Sequence, residues 1–214
     1  MTELKVEILS QKTCYQGVFR IEKFSLRHSL FNGGWSQTLN RELFERGHAA
    51  GVLPYDPIRD EIILIEQFRI GAHRVKTSAW LLEIVAGMIE PGETAEDVVK
   101  RESIEEAGCT IMQLAPVCNY LVSPGGTSET MALFCGQVDA SNIGGIHGIT
   151  DEGEDIRVTT VSFNTAIDML NKGMINSAAP IIALQWLIIH REKIQKMWGA
   201  SETSKRHTSY LIPN

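Results

Sequence analysis

Residues 87–109 read "GMIEPGETAEDVVKRESIEEAGC". Glu90, Glu93, Glu96, Asp97, Glu102, Glu105 and Glu106 crowd negative charge into this stretch, opposed only by Lys100 and Arg101. Pro91 and Gly92 forbid a helix upstream, Thr94-x-x-Asp97 has the form of a capping box, and Gly108 suits the residue that ends a helix. The stretch therefore predicts a helix from about Ala95 to Ala107. At about 100° per residue, Glu102, Glu105 and Glu106 fall within an arc of roughly 100°. Ala95 and Val98 begin the same stripe, so a face that starts apolar and should meet the core ends in carboxylates. A merely solvated helix would carry its acids on the opposite side. Like charges at i,i+3 and i,i+4 each cost about 0.2–0.5 kcal/mol, and acids in a last turn oppose the helix dipole. A hard divalent cation relieves both costs, because it takes several carboxylate oxygens and completes its shell with water and phosphate.

The flanks read as strands. "AAGVLPY" (49–55), "EIILIEQFRI" (61–70) and "WLLEIVAG" (80–87) precede the helix, with a loop around Ala72 to Ser78; "VCNYLVS" (117–123), "MALFCGQVD" (131–139) and "IRVTTVSF" (156–163) follow it. A glycine-rich polar loop fills 141–155, and loops of that length are commonly functional. Two helices are expected near the C-terminus, Thr165–Asn171 and Ala178–Trp198, the second with Ser177 as its cap. Residues 1–46 read as short strands with a hairpin signal at Asn32-Gly33, a lobe too small to bury much surface alone. The expected organisation is an N-terminal β lobe over 1–46, a mixed α/β domain over 47–198 and a tail over 199–214.

A net charge of −6 argues against non-specific nucleic-acid binding. It also means that an anionic substrate needs a metal ion or an arginine cluster to be held. Cys14, Cys109, Cys118 and Cys135 form no C-x-x-C pair and read as free thiols. The opening "MTELKVEILSQK" has no apolar signal core, and "PIIALQWLII" is too short to span a bilayer, so a cytoplasmic protein with no membrane partner is expected. His48 and His147 stand alone without ligand spacing and read as structural, and Trp80, Trp186 and Trp198 as packing residues.

The acidic stretch resembles the Nudix box, G-x5-E-x7-R-E-U-x-E-E-x-G-U. Gly87, Glu93, Arg101, Glu102, Glu105, Glu106 and Gly108 stand at its fixed positions. At about 7% per residue, a chance match is on the order of 10⁻⁸ per window. Two positions where the box has a bulky apolar residue hold Ser103 and Cys109. Further segments, among them "RELFERGHAA" (41–50), "LLEIVAGMIE" (81–90), "SPGGTSE" (123–129) and "GIHGITDEGEDIRV" (145–158), resemble the bacterial ADP-ribose pyrophosphatases of this superfamily.

That resemblance implies an α/β/α sandwich with a mixed sheet, and an N-terminal lobe exchanged across a homodimer. It implies Mg²⁺, with Mn²⁺ as a substitute, held by Glu102, Glu106, Glu154 and the Ala86 carbonyl, with Glu105 as a ligand or catalytic partner. The general base would be Glu152, with Glu154 as the rival. Arg41, Glu42, Arg46, Val18 and Phe19 would bind the adenosine end. Arg69 would meet the diphosphate or the adenine, with Met88 also lining the substrate site. Ser123, Pro124, Gly125 and Glu129 would hold the terminal ribose. The implied reaction is hydrolysis of ADP-ribose to AMP and ribose 5-phosphate; other nucleoside diphosphates such as nucleotide sugars, or a non-catalytic ADP-ribose sensor, are the alternatives.

Overall fold

The computed structural model describes the backbone of residues 3–75 and 78–208; the side chains of residue 152 and of 200–208 lie outside the description. The chain divides into two compact units, one of Met1–Ala49 with Asn119–Met131 and one of Ala50–Cys118 with Ala132–Asn214.

In the first unit, β1 (Val6–Gln16), β2 (Arg20–His28) and β3 (Leu39–Glu45) form an antiparallel sheet in that order. The strands are longer than the short ones expected, yet β1 is exposed along both of its faces, with only Glu7 partly covered. Phe19 meets Phe44 edge-on at 5.3 Å, and Arg27 lies over the Trp35 ring. The segment Asn119–Met131 joins this unit through hydrogen bonds. The Phe44 amide donates to the Gly126 carbonyl, Ser128 Oγ donates to Glu45 at 2.6 Å, and Thr130 Oγ1 meets His48 Nδ1 at 2.8 Å. The lone histidine at 48 thus has a structural partner.

The remaining strands are β4 (Ala49–Asp56), β5 (Glu61–Phe68), β6 (Trp80–Glu83), β7 (Val85–Met88), β8 (Gln113–Leu121), β9 (Thr130–Gln137), β10 (Gly145–His147) and β11 (Ile156–Ser162). They make an eight-stranded mixed sheet in the order β10-β11-β5-β4-β9-β8, with β6 on β5 and β7 on β4. The helices are α1 (Ile70–Arg74), α2 (Ala95–Ala107), α3 (Phe163–Asn171) and α4 (Ala178–Thr208). The single strand expected over 80–87 is two, and the loop expected around Ala72 to Ser78 begins with the one-turn α1. The polar loop over 141–155 holds β10 and a 3₁₀ turn, Thr150–Glu152.

The long apolar run of β5 is explained by burial on both faces. Ile63 and Ile65 pack with Ala50, Val52, Val98, Val99 and Ala107, which puts α2 on one side. Ile62 pairs with Tyr55. The Tyr55 hydroxyl donates to Asp60 at 2.7 Å, and Asp60 also receives Arg191 and Gln195 of α4, so α4 lies on the other side. Ala183, Leu184, Leu187 and Trp198 are buried there. α4 runs past the expected Trp198 to Thr208. Ser177 precedes it, but the buried Ser177 hydroxyl has no hydrogen-bond partner among the described residues, so it is not the expected side-chain cap; its carbonyl receives the Ile181 amide instead. No helix among the described residues is long and apolar enough to cross a membrane.

Candidate active site

Helix α2 starts and stops where its sequence requires. Thr94 Oγ1 accepts the Asp97 amide at 3.2 Å while Asp97 accepts the Thr94 amide at 3.1 Å. Gly108 takes φ +61, a left-handed conformation that suits glycine, and its amide and that of Cys109 return to the Ile104 and Ser103 carbonyls. Val98, Val99, Ser103, Glu106 and Ala107 are its buried residues. The serine standing for a bulky apolar residue is fully buried, and its hydroxyl donates to the Val99 carbonyl at 2.6 Å. Cys109 joins the core, and burial pushes its thiol up to about 11.

The same helix turns its acids toward β7. Glu106 is 3% exposed, and its carboxylate accepts the Ala86 amide at 3.0 Å. Burial pushes Glu106 up to about 8; the Ala86 amide and the Arg69 charge oppose that shift, and Glu102 and Glu154 add to it. Glu102 is raised for the same reason, burial first, with Arg101 opposing and Glu105 and Glu154 adding. Glu154 acts electrostatically on both acids, so the loop beyond β10 approaches the ridge. Gly87 lies flush against Glu102: a Cβ there would stand 1.9 Å from its Oε1. Only glycine allows this approach.

Arg101 binds three acids. Its Nε is 3.1 Å from Glu93, and one terminal nitrogen is 2.8 Å from Glu102 and 3.0 Å from Glu105. These bonds raise the Arg101 pKa, and the arginine holds half-buried Glu93 below the usual carboxylate range. With Glu102 and Glu105 drawn to the guanidinium, no three His, Cys, Asp or Glu side chains among the described residues are gathered around one point that would hold a metal ion. The donor set still fits a hard cation: three acids on one helix, one of them buried against a single amide. The expected base, Glu152, belongs to the 3₁₀ turn, and its side chain lies outside the described residues.

A family model described as NUDIX domain matches residues 37–184, well over half of the chain. The chain belongs to the NUDIX family. The ADP-ribose pyrophosphatase of Escherichia coli (strain K12) is 51% identical over 194 residues, covering 91% of this chain and 93% of its own. That of Haemophilus influenzae is 43% identical over 202 residues, 92% of each. The GDP-mannose pyrophosphatase of Pectobacterium atrosepticum is 32% identical over 188 residues, 86% of this chain and 94% of its own. A crystal structure described as an ADP compounds hydrolase shares the fold, with a TM-score of 0.66 at 23% identity, over 90% of this chain and 96% of that one.

The other residues named for this NUDIX site fall into both units. Arg69 and Met88 belong to the second, and Arg69 is tied to Glu83 at 2.8 Å, a partner that the motif does not reveal. The rest belong to the first. Arg46 stands 3.5 Å from Glu129 and over the Phe19 ring, which brings three candidates into one patch. Val18 beside them is 95% exposed. Arg41 bonds the neighbouring Asn40 carbonyl, and Glu42 pairs across the sheet with Lys23. Ser123, Pro124 and Gly125 form a turn closed by the Gly126 and Thr127 amides on the Ser123 carbonyl.

Proposed function

We propose that the protein hydrolyses the diphosphate of ADP-ribose to AMP and ribose 5-phosphate, using Mg²⁺, for which Mn²⁺ substitutes. The observation that carries the reading is the carboxylate of Glu106, 3% exposed and answered by one backbone amide, beside Glu102 and within the influence of Glu154. A buried carboxylate with one hydrogen-bond partner and only the charge of Arg69 to offset its acidic neighbours suits a cation. The choice of substrate is supported by the likeness to ADP-ribose pyrophosphatases at 51%, against 32% for the GDP-mannose enzyme.

A diphosphate ester resists water because its negative oxygens repel the nucleophile. Mg²⁺ held by Glu102, Glu106, Glu154 and the Ala86 carbonyl, with Glu105 beside them, would neutralise those oxygens and acidify a water. Glu152 accepts the proton of the attacking water as the water's bond to one phosphorus forms, with Glu154 as the alternative base. The bond from that phosphorus to the bridging oxygen breaks, and the bridging oxygen leaves with the other phosphate. Arg101 keeps Glu102 and Glu105 oriented through its bonds to both. Arg69 offers a planar fork to the diphosphate or a face to the adenine, and Met88 lines the same site. Arg41, Glu42, Arg46, Val18 and Phe19 bind the adenosine end, while Glu129 and the Ser123-Pro124-Gly125 turn hold the terminal ribose. The working form is a cytoplasmic homodimer that exchanges its N-terminal lobes; it needs no nucleic acid and no membrane.

The test is direct. Incubation with ADP-ribose and Mg²⁺ should release AMP far faster than Mg²⁺ alone, and faster than GDP-mannose or other nucleotide sugars are cleaved. AMP release at the metal-only rate would instead make the protein a sensor.

A further inference from the structure

We propose that His147 is a positioning residue that clasps the loop carrying the catalytic base onto the helix carrying the acid ridge. The inference rests on the reading of Glu152 or Glu154 as that base.

Two contacts define the clasp. The Gly148 amide donates to the Glu105 carbonyl at 3.2 Å. That carbonyl lies in the last turn of α2, where carbonyls have no partner within the helix, and those of Ser103 and Ile104 are already taken by the helix's own cap. The loop therefore completes the satisfaction of α2. Next to it, the His147 ring covers Gly108: a Cβ on that glycine would stand 2.5 Å from His147 Cε1. The ring fills the space that glycine leaves open.

The ring is itself held. His147 Nε2 lies 3.0 Å from the Gly144 carbonyl, which can only accept, so Nε2 carries the hydrogen. His147 thus ties the start of β10 to its own turn while its edge meets the helix cap. Beyond the clasp the chain returns on itself: Glu154 accepts the Ile149 amide at 3.1 Å, and its Cβ crowds Gly148 so closely that any side chain there would stand 2.8 Å from it. The Glu154 side chain is therefore registered against the residue next to His147, and the 3₁₀ turn bearing Glu152 lies between them. Removing the imidazole would leave this loop free to shift relative to Glu102 and Glu106. A misplacement of about 1 Å is enough to cost roughly 100-fold in rate.

The experiment compares His147→Ala, His147→Gln, Glu152→Gln and Glu154→Gln in the full chain, measuring kcat and KM for ADP-ribose and the exchange rate of the Gly148 amide. Expected for His147→Ala is a fall in kcat of about tenfold or more, with KM within about threefold, and faster Gly148 exchange. Glutamine, whose amide can donate to the Gly144 carbonyl, should recover most of the loss. A wild-type kcat in His147→Ala while Glu152→Gln or Glu154→Gln is inactive would overturn the inference, as would a rise in KM alone or failure of glutamine to recover any activity. If both glutamate variants kept full kcat, the base assignment would fall, and exchange at Gly148 would decide the clasp: faster in His147→Ala upholds it, unchanged overturns it.

Discussion

Glu106 holds its proton to about pH 8 in the folded protein, whereas a free glutamate releases it near 4.5. Between those values the folded state binds more protons than the unfolded state, so this residue's contribution to stability is present in full below pH 4.5 and lost as pH rises through 8. At about 1.4 kcal/mol for each pH unit, the loss is roughly 3–5 kcal/mol. The Tm of the protein in chelator should therefore fall between pH 5 and pH 8.5 more steeply than that of Glu106→Gln; parallel curves would mean that Glu106 does not titrate in this window. Glu106→Gln should also lose metal-dependent turnover, and added Mg²⁺ should raise the Tm of the wild type more at pH 8.5 than at pH 6, because the cation competes with the proton.

At the scale of elements, β7 and α2 meet through a glycine and a carboxylate. Gly87→Ala would force Glu102 from its place, since the new methyl would stand 1.9 Å from its oxygen. Turnover of ADP-ribose should fall about 100-fold or more while the urea midpoint changes little; a variant near wild-type activity would show that Glu102 can be moved without harm. The turn between β4 and β5 answers a different demand. Asp60 adopts φ 58 and gathers Tyr55, Arg191 and Gln195. Burial pushes its carboxyl up, but the hydrogen bonds from Arg191 and Tyr55 outweigh that and hold it below the usual range. Burial, with the bond to Asp60, pushes the Tyr55 hydroxyl well up. Asp60→Ala removes these bonds and keeps the left-handed strain, so it should cost about 2–4 kcal/mol in urea unfolding. Activity per folded molecule should be unchanged.

At the scale of the whole molecule, β1 is an edge strand of eleven residues that exposes Val6 at 67% and Ile8 at 50%. Long exposed edges with apolar side chains invite pairing or burial by another chain. In the proposed homodimer this is the surface that a second copy covers. Light scattering should give twice the mass of one chain for the wild type, and Val6→Lys with Ile8→Lys should yield the monomer. A wild type that runs as a monomer at micromolar concentration would end the dimer reading.

The chemistry was legible in residues 87–109 because a helix period, a capping box and a run of acids are local properties. The burial of Ser103 and Glu106 follows from the same period, since both lie toward the sheet when Val98 and Val99 do. The apolar runs of β4 and β5 likewise read as strands, while the covering of both faces of their sheet was implied only by the resemblance. What only the tertiary structure decided are meetings between residues far apart in the chain. Glu83 holds Arg69, Asn119–Met131 completes the N-terminal unit beside β3, and His147 covers Gly108. None of these carries a periodic or compositional signal, because each depends on which strand edges pair and which loop reaches which helix end. Sequence by itself determined that a ridge of carboxylates would face inward on one helix. Folding decided which amide and which histidine would hold that ridge and its loop, because those contacts are set by packing between elements and not by order along the chain, whereas the Arg101–Glu105 pair follows from the helix period alone.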